Sequence, residues 1–353
     1  MTDSDAIRTL RREFVARGWT RLPTARAIAE LAANVLMTLG GIAIIVFCDH
    51  WALKALGLLI VTCGSMGVGA NTHTSSHDAT SKRKWVNEAL TYFGFPFFLG
   101  LPATYWWWDH VSVHHVSHNV LSIDDDFDLR PFFAITQPHV DQSRGFAKFY
   151  YSHLQIWFLP FALFFFSFMF QFVAWKYLLR CTLDPKQRTR RQILDLTSLI
   201  LHYGVWLALP CIWLPFWSVL LFYVLRAGLM GYAQFIVLGP GHFPLEAELL
   251  ETRPPAKDYM RFQTDTCVNF HTGPFGRLIC AGLEYHIEHH LFPEISHVYY
   301  PKVAKVLRKF CEENGYQYQT FSWPRAVWKC VEIFVTPKPL VAGNISERAA
   351  SGA

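Results

Sequence analysis

Residues 31–77 read LAANVLMTLGGIAIIVFCDHWALKALGLLIVTCGSMGVGANTHTSSH, and this stretch decides the fold. It contains two apolar runs, 31–48 and 52–71, which only three residues separate. A helix needs about 20 apolar residues to cross the hydrocarbon core of a bilayer. The stretch therefore predicts a hairpin of two membrane-spanning helices, and the histidines His73 and His77 follow directly at its end.

A second pair of apolar runs, 193–214 and 217–238, predicts a second hairpin with its turn at Pro210–Pro215. Two more apolar stretches, 86–108 and 149–175, are interrupted by glycine or proline. The whole chain is 52% hydrophobic and contains 30 Phe and 13 Trp, with only 17% charged residues. This composition indicates apolar surface that faces lipid. No basic run interleaved with aromatic residues indicates a nucleic-acid partner.

Basic residues mark one side of the membrane. Six Arg lie within residues 1–26, six Lys or Arg lie within 176–191, and Lys82, Arg83 and Lys84 follow the first hairpin. The turns of the two hairpins carry almost no basic residue. Cytoplasmic loops are enriched in Lys and Arg, so we expect both termini and all of these loops on the cytoplasmic side.

The two interrupted stretches are predicted not to cross the membrane. A single crossing by either one would place a basic loop on the wrong side, so we expect both to lie along the interface or to re-enter. The predicted fold is an all-α membrane protein with four transmembrane helices in two hairpins, interfacial or re-entrant helices, and a cytoplasmic helical cap. Its parts are a cytoplasmic N-terminal segment at 1–30, a membrane domain at 31–336 and a mobile C-terminal tail at 337–353.

Histidine is abundant, with 16 in the chain, and half of them form three sets. The sets are His73 with His77, His110 with His114 and His115, and His286 with His289 and His290. Residues four apart share one face of a helix, so each set can present two imidazoles to one point. Imidazole suits Fe, Zn, Cu and Ni, and eight imidazoles exceed what one ion uses. We therefore predict two metal ions held by the cap, where oxidation of an acyl chain by O₂ would explain a position beside lipid.

Two motifs in the C-terminal half add a resemblance. The motifs QTDTCVN at 263–269 and AGLEYHIEHHLFP at 281–293, together with the order of the histidine sets, resemble the integral-membrane fatty acid desaturase superfamily. These motifs and the run from His114 to Asp128 are similar to its acyl-lipid, front-end subgroup. The resemblance implies that two Fe ions and O₂ introduce a cis double bond into a fatty acyl lipid. It also implies an external electron donor of the ferredoxin or cytochrome b5 type.

The resemblance assigns roles to three further residues. His242 matches an isolated ninth ligand near the end of the fourth span. The expected iron ligands are then His73, His77, His110, His114, His115, His242, His286, His289 and His290. Asn269 matches a residue that holds a metal-bound water in relatives. His118 is expected to hold a ligand residue in place without binding the metal itself.

Departures from the subgroup keep other interpretations open. Three residues separate His110 from the following histidine pair, a spacing that hydroxylase-like relatives often have, and His286 stands where front-end enzymes usually carry Gln. The alternative is therefore a lipid hydroxylase or ketolase of the same superfamily, and a non-catalytic membrane metal or haem protein is the remote one. No fused cytochrome b5 domain is expected within residues 1–30, which favours the bacterial inner membrane over the endoplasmic reticulum.

Overall fold

The computed structural model describes residues 2–342, and helices make up most of it. The helices are α1 (Asp3–Ala16), α2 (Thr24–Phe47), α3 (Trp51–Ser76), α4 (Lys84–Tyr92), α5 (Ala103–Trp106), α6 (His115–Ser117), α7 (Gln137–Gln142), α8 (Gly145–Phe149), α9 (Gln155–Leu183), α10 (Arg190–Tyr203), α11 (Phe216–Leu238), α12 (Tyr259–Asp265), α13 (Pro274–Cys280), α14 (His286–Leu291), α15 (Tyr300–Asn314) and α16 (Trp323–Glu332). Turns of π-helix, called wide turns below, cover Phe93–Leu99, Trp107–His114, Tyr150–Leu154 and Gly204–Ala208. The strands are β1 (Leu249–Leu250), β2 (Asn269–His271), β3 (Thr320–Ser322) and β4 (Leu340–Val341); β1 pairs with β4 and β2 with β3, both in parallel.

The first hairpin is formed by α2 and α3, which approach each other through two glycines. A Cβ atom on Gly41 would lie 2.6 Å from the carbonyl oxygen of Gly57. One on Gly57 would lie 2.8 Å from the carbonyl oxygen of Gly41. Small residues at such contacts let membrane helices pack backbone to backbone. The two helices therefore pack closely near the turn of the hairpin, and the first histidine set lies at the opposite end of α3.

Five helices of the described residues are long and apolar enough to cross a membrane, whereas the sequence predicted four. These candidate spans are Thr24–Phe47, Trp51–Ser76, Gly145–Leu183, Arg190–Ile212 and Phe216–Gly241. The additional one contains α9, which continues through Pro160 although the sequence predicted an interrupted segment at 149–175. Pro160 lies in the second turn, so the hydrogen bond that it removes leaves the rest of the helix intact.

Both ends of α9 contact the part of the molecule that carries the histidines. At its start, the Gln155 side chain hydrogen-bonds to the backbones of Ala134 and Phe334. Phe334 belongs to the same apolar cluster as Phe243, the neighbour of His242. Near the other end of α9, Tyr177 stacks on Trp108, with ring centroids 5.1 Å apart.

The second interrupted stretch, 86–108, turns back on itself. After the wide turn at Phe93–Leu99, Gly100 adopts a left-handed conformation with φ of 74°, and a new helix starts at Ala103. Side chains of three long helices donate hydrogen bonds to three consecutive carbonyl oxygens of the turn. The pairs are His202 to Phe97, Arg226 to Phe98 and Gln171 to Leu99, at 2.9, 2.9 and 3.0 Å. Non-helical backbone at membrane depth needs such partners, and this contact accounts for a buried arginine in an apolar helix.

The remaining helices and the strands pack around the histidines. Amphipathic α1 buries Ala6, Leu10 and Phe14 in an apolar cluster with residues of α14 and α15. The first residues of the predicted mobile tail at 337–353 are among those that the structure describes. Leu340 and Val341 form β4, and the Lys338 side chain is fully buried. Residues 343–353 of that tail lie outside the described residues.

Candidate metal centre

Four chain segments deliver imidazoles to one buried region. The last turn of α3 carries His73, and His77 follows it. The helical segment 103–117, made of α5, the wide turn and α6, carries the second set. The short helix α14 carries the third set, and His242 follows the end of α11. The nine histidines expected as ligands therefore come from sequence positions as far apart as 73 and 290, and the fold brings them together.

Five of these histidines form what we call group one. Its members are His73, His77, His110, His115 and His289, and their ligand nitrogens lie within 4.8 Å of one another. The shortest separations join Nε2 of His73 to Nε2 of His110, at 2.7 Å, and Nε2 of His115 to Nε2 of His110, at 3.1 Å. A metal–imidazole bond of about 2.1 Å, as in zinc sites, puts two ligands at right angles about 3 Å apart. The separations thus match ligands of one ion.

The other four histidines form group two, centred on His242. Its Nε2 atom lies 2.8 Å from Nε2 of His286 and 3.1 Å from Nε2 of both His114 and His290. An imidazole nitrogen has one proton or one lone pair, so it can form one hydrogen bond of this kind and not three. Four nitrogens that converge in this way therefore fit a shared metal ion better than a network of hydrogen bonds.

Burial supports the same interpretation. The Nε2 atom of His289 is buried and has no hydrogen-bond partner among the described residues. An orphaned buried nitrogen costs free energy unless it binds something, and a metal ion in group one would satisfy it. Burial lowers the pKa of His286 to about 3 and, with the charge of His114, lowers that of His77 to about 3. Neutral imidazoles at physiological pH are the form that binds metals.

The far side of several imidazoles is also held. The carbonyl oxygen of Leu283 lies 3.2 Å from Nδ1 of His286, and that of Thr266 lies 3.3 Å from Nδ1 of His242. The Tyr300 hydroxyl lies 3.4 Å from Nδ1 of His289. Contacts of this kind fix the tautomer in which Nε2 faces a metal.

Two carboxylates lie near Nδ1 of His114. Oxygens of Asp124 and Asp126 each lie 3.4 Å from its Nδ1 atom. Burial alone would lower the pKa of His114, but the contact and charge of Asp124, followed by those of Asp126, raise it to about 10. At such a pKa both nitrogens carry a proton when no metal is bound, so an ion in group two would displace the proton on Nε2 while the carboxylates face the one on Nδ1. Both carboxylates lie in the run from His114 to Asp128, where position in the sequence does not distinguish them from the neighbouring carboxylates.

Asn269 hydrogen-bonds to residues around the third histidine set, and its expected role in holding a metal-bound water stays a prediction. Its side-chain nitrogen donates to Glu288 at 2.8 Å and to the Tyr318 hydroxyl at 2.9 Å. Its oxygen accepts from the Ile287 backbone N–H at 2.8 Å. The amide is thus fully used in tying α14, which carries the third set, to its surroundings.

His118 lies beside group two. Its Nε2 atom lies 2.7 Å from the Thr266 hydroxyl, and its ring stacks on Phe262. Its ligand nitrogen, the Cys267 sulfur and a His290 nitrogen also lie within 4.8 Å of one another. The contact with Thr266, whose carbonyl faces His242, agrees with the expected supporting position, and its role stays a prediction.

Two supporting residues escaped the sequence analysis. Trp106 stacks on His110, with ring centroids 4.1 Å apart, and its indole N–H donates to Ser76. Asp195, a buried residue of α10, accepts hydrogen bonds from the backbone N–H groups of Ala103 and Thr104 and so caps the 103–117 segment. An acid inside an apolar span is costly without a partner, and this signal was available in the sequence.

Comparison with known proteins agrees with this centre. A family model described as "Fatty acid desaturase" matches residues 49–322. The Delta(5) fatty acid desaturase fat-4 of Caenorhabditis elegans is 26% identical over 74% of this chain, and an acyl-lipid (9-3)-desaturase of Physcomitrium patens is 25% identical over 84%. The chain spans only 59% and 55% of the lengths of these two relatives. An sn-1 linoleoyl-lipid 6-desaturase of Synechocystis sp. is 25% identical over 87% of each chain.

Proposed function

Because this chain belongs to the fatty acid desaturase family, we propose that it uses O₂ to introduce a cis double bond into the acyl chain of a lipid. The observation that carries the proposal is the convergence of nine buried or half-buried imidazoles in two groups. The printed names of two relatives, an acyl-lipid and a linoleoyl-lipid desaturase, support a lipid-bound acyl chain as the substrate.

We propose two irons, one held by the five histidines of group one and one by the four of group two. Imidazole is a good ligand for iron, and the family supplies the reason to prefer iron over zinc. When bound, the irons would supply the oxidising power for removing two hydrogens from adjacent carbons. Electrons would come from a separate donor of the ferredoxin or cytochrome b5 type.

The protein's own residues would bind the metal ions, orient the imidazole ligands and shield the site from water. Leu283, Thr266 and Tyr300 hold the far nitrogens of three imidazoles, and Asp124 with Asp126 holds that of His114. All residues of α14 are buried, so water is excluded from the side of the third set. Preorganised ligands in a dry site need little rearrangement during the reaction.

For the membrane topology, we propose four crossings by α2, α3, α10 and α11, with α9 along the interface. The support is that both ends of α9 contact the histidine-bearing part, through Gln155 at one end and Tyr177 at the other. With four crossings, both termini and the basic loops lie on the cytoplasmic side. The bacterial inner membrane, favoured over the endoplasmic reticulum, stays a prediction.

The test is lipid profiling of a desaturase-deficient host that expresses the full chain with a redox partner, beside a His289→Ala control. Acyl species two mass units lighter, absent in the control, support desaturation, and fragmentation then locates the double bond. Species sixteen units heavier would indicate the hydroxylase alternative, which the spacing between His110 and the following histidine pair favours. A membrane-inserted protein without iron would refute the proposal.

A further inference from the structure

Lys338 is a lysine with no solvent-exposed surface. Lysine is almost never fully buried unless its amine is paired. It follows α16 and lies beyond residues 49–322, which the family model matches.

The Lys338 side chain ends at the loop that carries His242. Its Nζ atom donates hydrogen bonds to the carbonyl oxygens of His242, at 2.6 Å, and Pro244, at 2.8 Å. A third carbonyl, that of Phe243, lies at 3.4 Å. The amine also lies 5.2 Å from the centre of the Phe127 ring. One side chain thus binds three consecutive carbonyls, the first of which belongs to the central histidine of group two.

The backbone around Lys338 is anchored on both sides. Its N–H donates to the Ile135 carbonyl at 2.8 Å, and its own carbonyl accepts from the Gln137 N–H at 2.8 Å. Two residues later, β4 pairs with β1. The segment therefore provides a fixed base from which the amine reaches the loop.

The loop leaves His242 little freedom on its other side. A Cβ atom on Gly241 would lie 2.3 Å from the His286 ring, so the loop backbone packs directly on another member of group two. A shift of the His242 carbonyl would therefore move its imidazole relative to three neighbouring nitrogens. Because outer contacts of this kind tune metal affinity, the anchoring of this carbonyl matters for the ion.

We propose that Lys338 is a positioning residue for the metal centre, which holds the backbone of His242 so that its Nε2 atom points at the ion of group two. The proposal rests on the proposed ligation by His242. Burial lowers the pKa of Lys338 to about 7. The neutral amine and the ammonium both carry the two N–H groups that the short contacts require. This hold of Lys338 on the His242 carbonyl, called the clamp below, therefore does not depend on the protonation state.

The test compares Lys338→Met with the wild type and with Leu340→Ala, using the full chain purified in detergent. Met keeps the side chain up to the position of Cε and removes the donors, whereas Leu340→Ala weakens the neighbouring strand β4 and leaves Lys338 in place. Iron content, cobalt(II) titration by absorption, and the thermal unfolding midpoint are measured for each. We expect the wild type to bind two ions and Lys338→Met to bind one of them about 10- to 100-fold more weakly. The His242→Ala variant should show the same selective loss.

Each outcome separates the clamp from the proposed function. Two equally tight sites in Lys338→Met would overturn the clamp and leave the di-iron proposal standing. Equal weakening of both sites with a lowered midpoint, or the same selective loss in Leu340→Ala, would show that the residue only stabilises the fold. A wild type without two bound ions would refute the proposed function itself.

Discussion

Replacing Asp195 by Asn should destabilise the protein and weaken metal binding at both groups, although Asp195 lies on α10 and contacts no histidine of either group. One carboxylate oxygen accepts from the Ala103 N–H at 2.8 Å, and the other accepts from the Thr104 N–H at 2.9 Å and from the Thr104 hydroxyl. These are the first N–H groups of the 103–117 segment, where a helix lacks partners of its own. Asn keeps one accepting oxygen and turns an NH₂ group towards the remaining donors.

The size of the effect follows from the groups that lose a partner. Asp195 is fully buried, so water cannot replace the lost acceptor. One buried N–H and one hydroxyl are left unsatisfied, each at a cost of about 1–3 kcal/mol. We therefore expect a loss of about 2–6 kcal/mol in the free energy of unfolding, and a thermal midpoint lower by on the order of 5 °C. Because the segment carries ligands of both groups, both ions should bind more weakly.

The assay is thermal unfolding in detergent, followed by tryptophan fluorescence, together with iron content. Asp184→Asn is the matched control, since Asp184 accepts from the Lys186 N–H at 2.9 Å in an exposed contact. Its midpoint and iron content should equal those of the wild type. If Asp195→Asn were as stable and as iron-rich as Asp184→Asn, the reasoning that this cap positions the second histidine set would be refuted.

Three further predictions follow from the same contacts. Asn269→Ala should lower the thermal midpoint, because Glu288 and the Ile287 N–H lose a partner, while iron content and absorption stay those of the wild type. Altered absorption at an unchanged midpoint would instead indicate a role of Asn269 beside the metals. Arg226→Met should cost about 1–3 kcal/mol of unfolding free energy, because the Phe98 carbonyl is left without its donor inside the apolar region; equal stability in detergent unfolding would contradict that. Removing the metals with a chelator should lower the thermal unfolding midpoint, and added iron(II) should restore it, since an ion that binds only the folded state stabilises that state. A midpoint that does not respond to the chelator would argue against a metal centre.

The sequence predicted best what depends on neighbouring residues. The apolar runs of α2 and α3 are local patterns and predicted where these helices lie. His110 and His114, whose spacing predicted a shared point, lie in different groups. The continuity of α9 through Pro160 could not be predicted, because it depends on how early in the helix the proline falls. The role of Asn269 was taken from a resemblance, and its actual partners, Tyr318 among them, are distant in the sequence.

The supporting residues show a different limit. Lys338 stands in a short polar context that predicts a tail, and only the fold shows that three carbonyls surround its amine. Asp195 differs, since an acid in an apolar run calls for a partner, but the sequence does not say which one.

The turn at Phe93–Leu99 also constrains the order in which the chain is assembled. Its three carbonyl partners follow it by 72, 105 and 128 residues, so a ribosome releases the turn long before Gln171, His202 and Arg226 exist. Bare carbonyls are costly in lipid. The nascent turn must therefore wait in water or inside the insertion machinery, and it can settle only when α11 arrives. Membrane insertion of this protein would then be completed only after α11 is made, and a chain that ends before α11 would lack the donor for the Phe98 carbonyl.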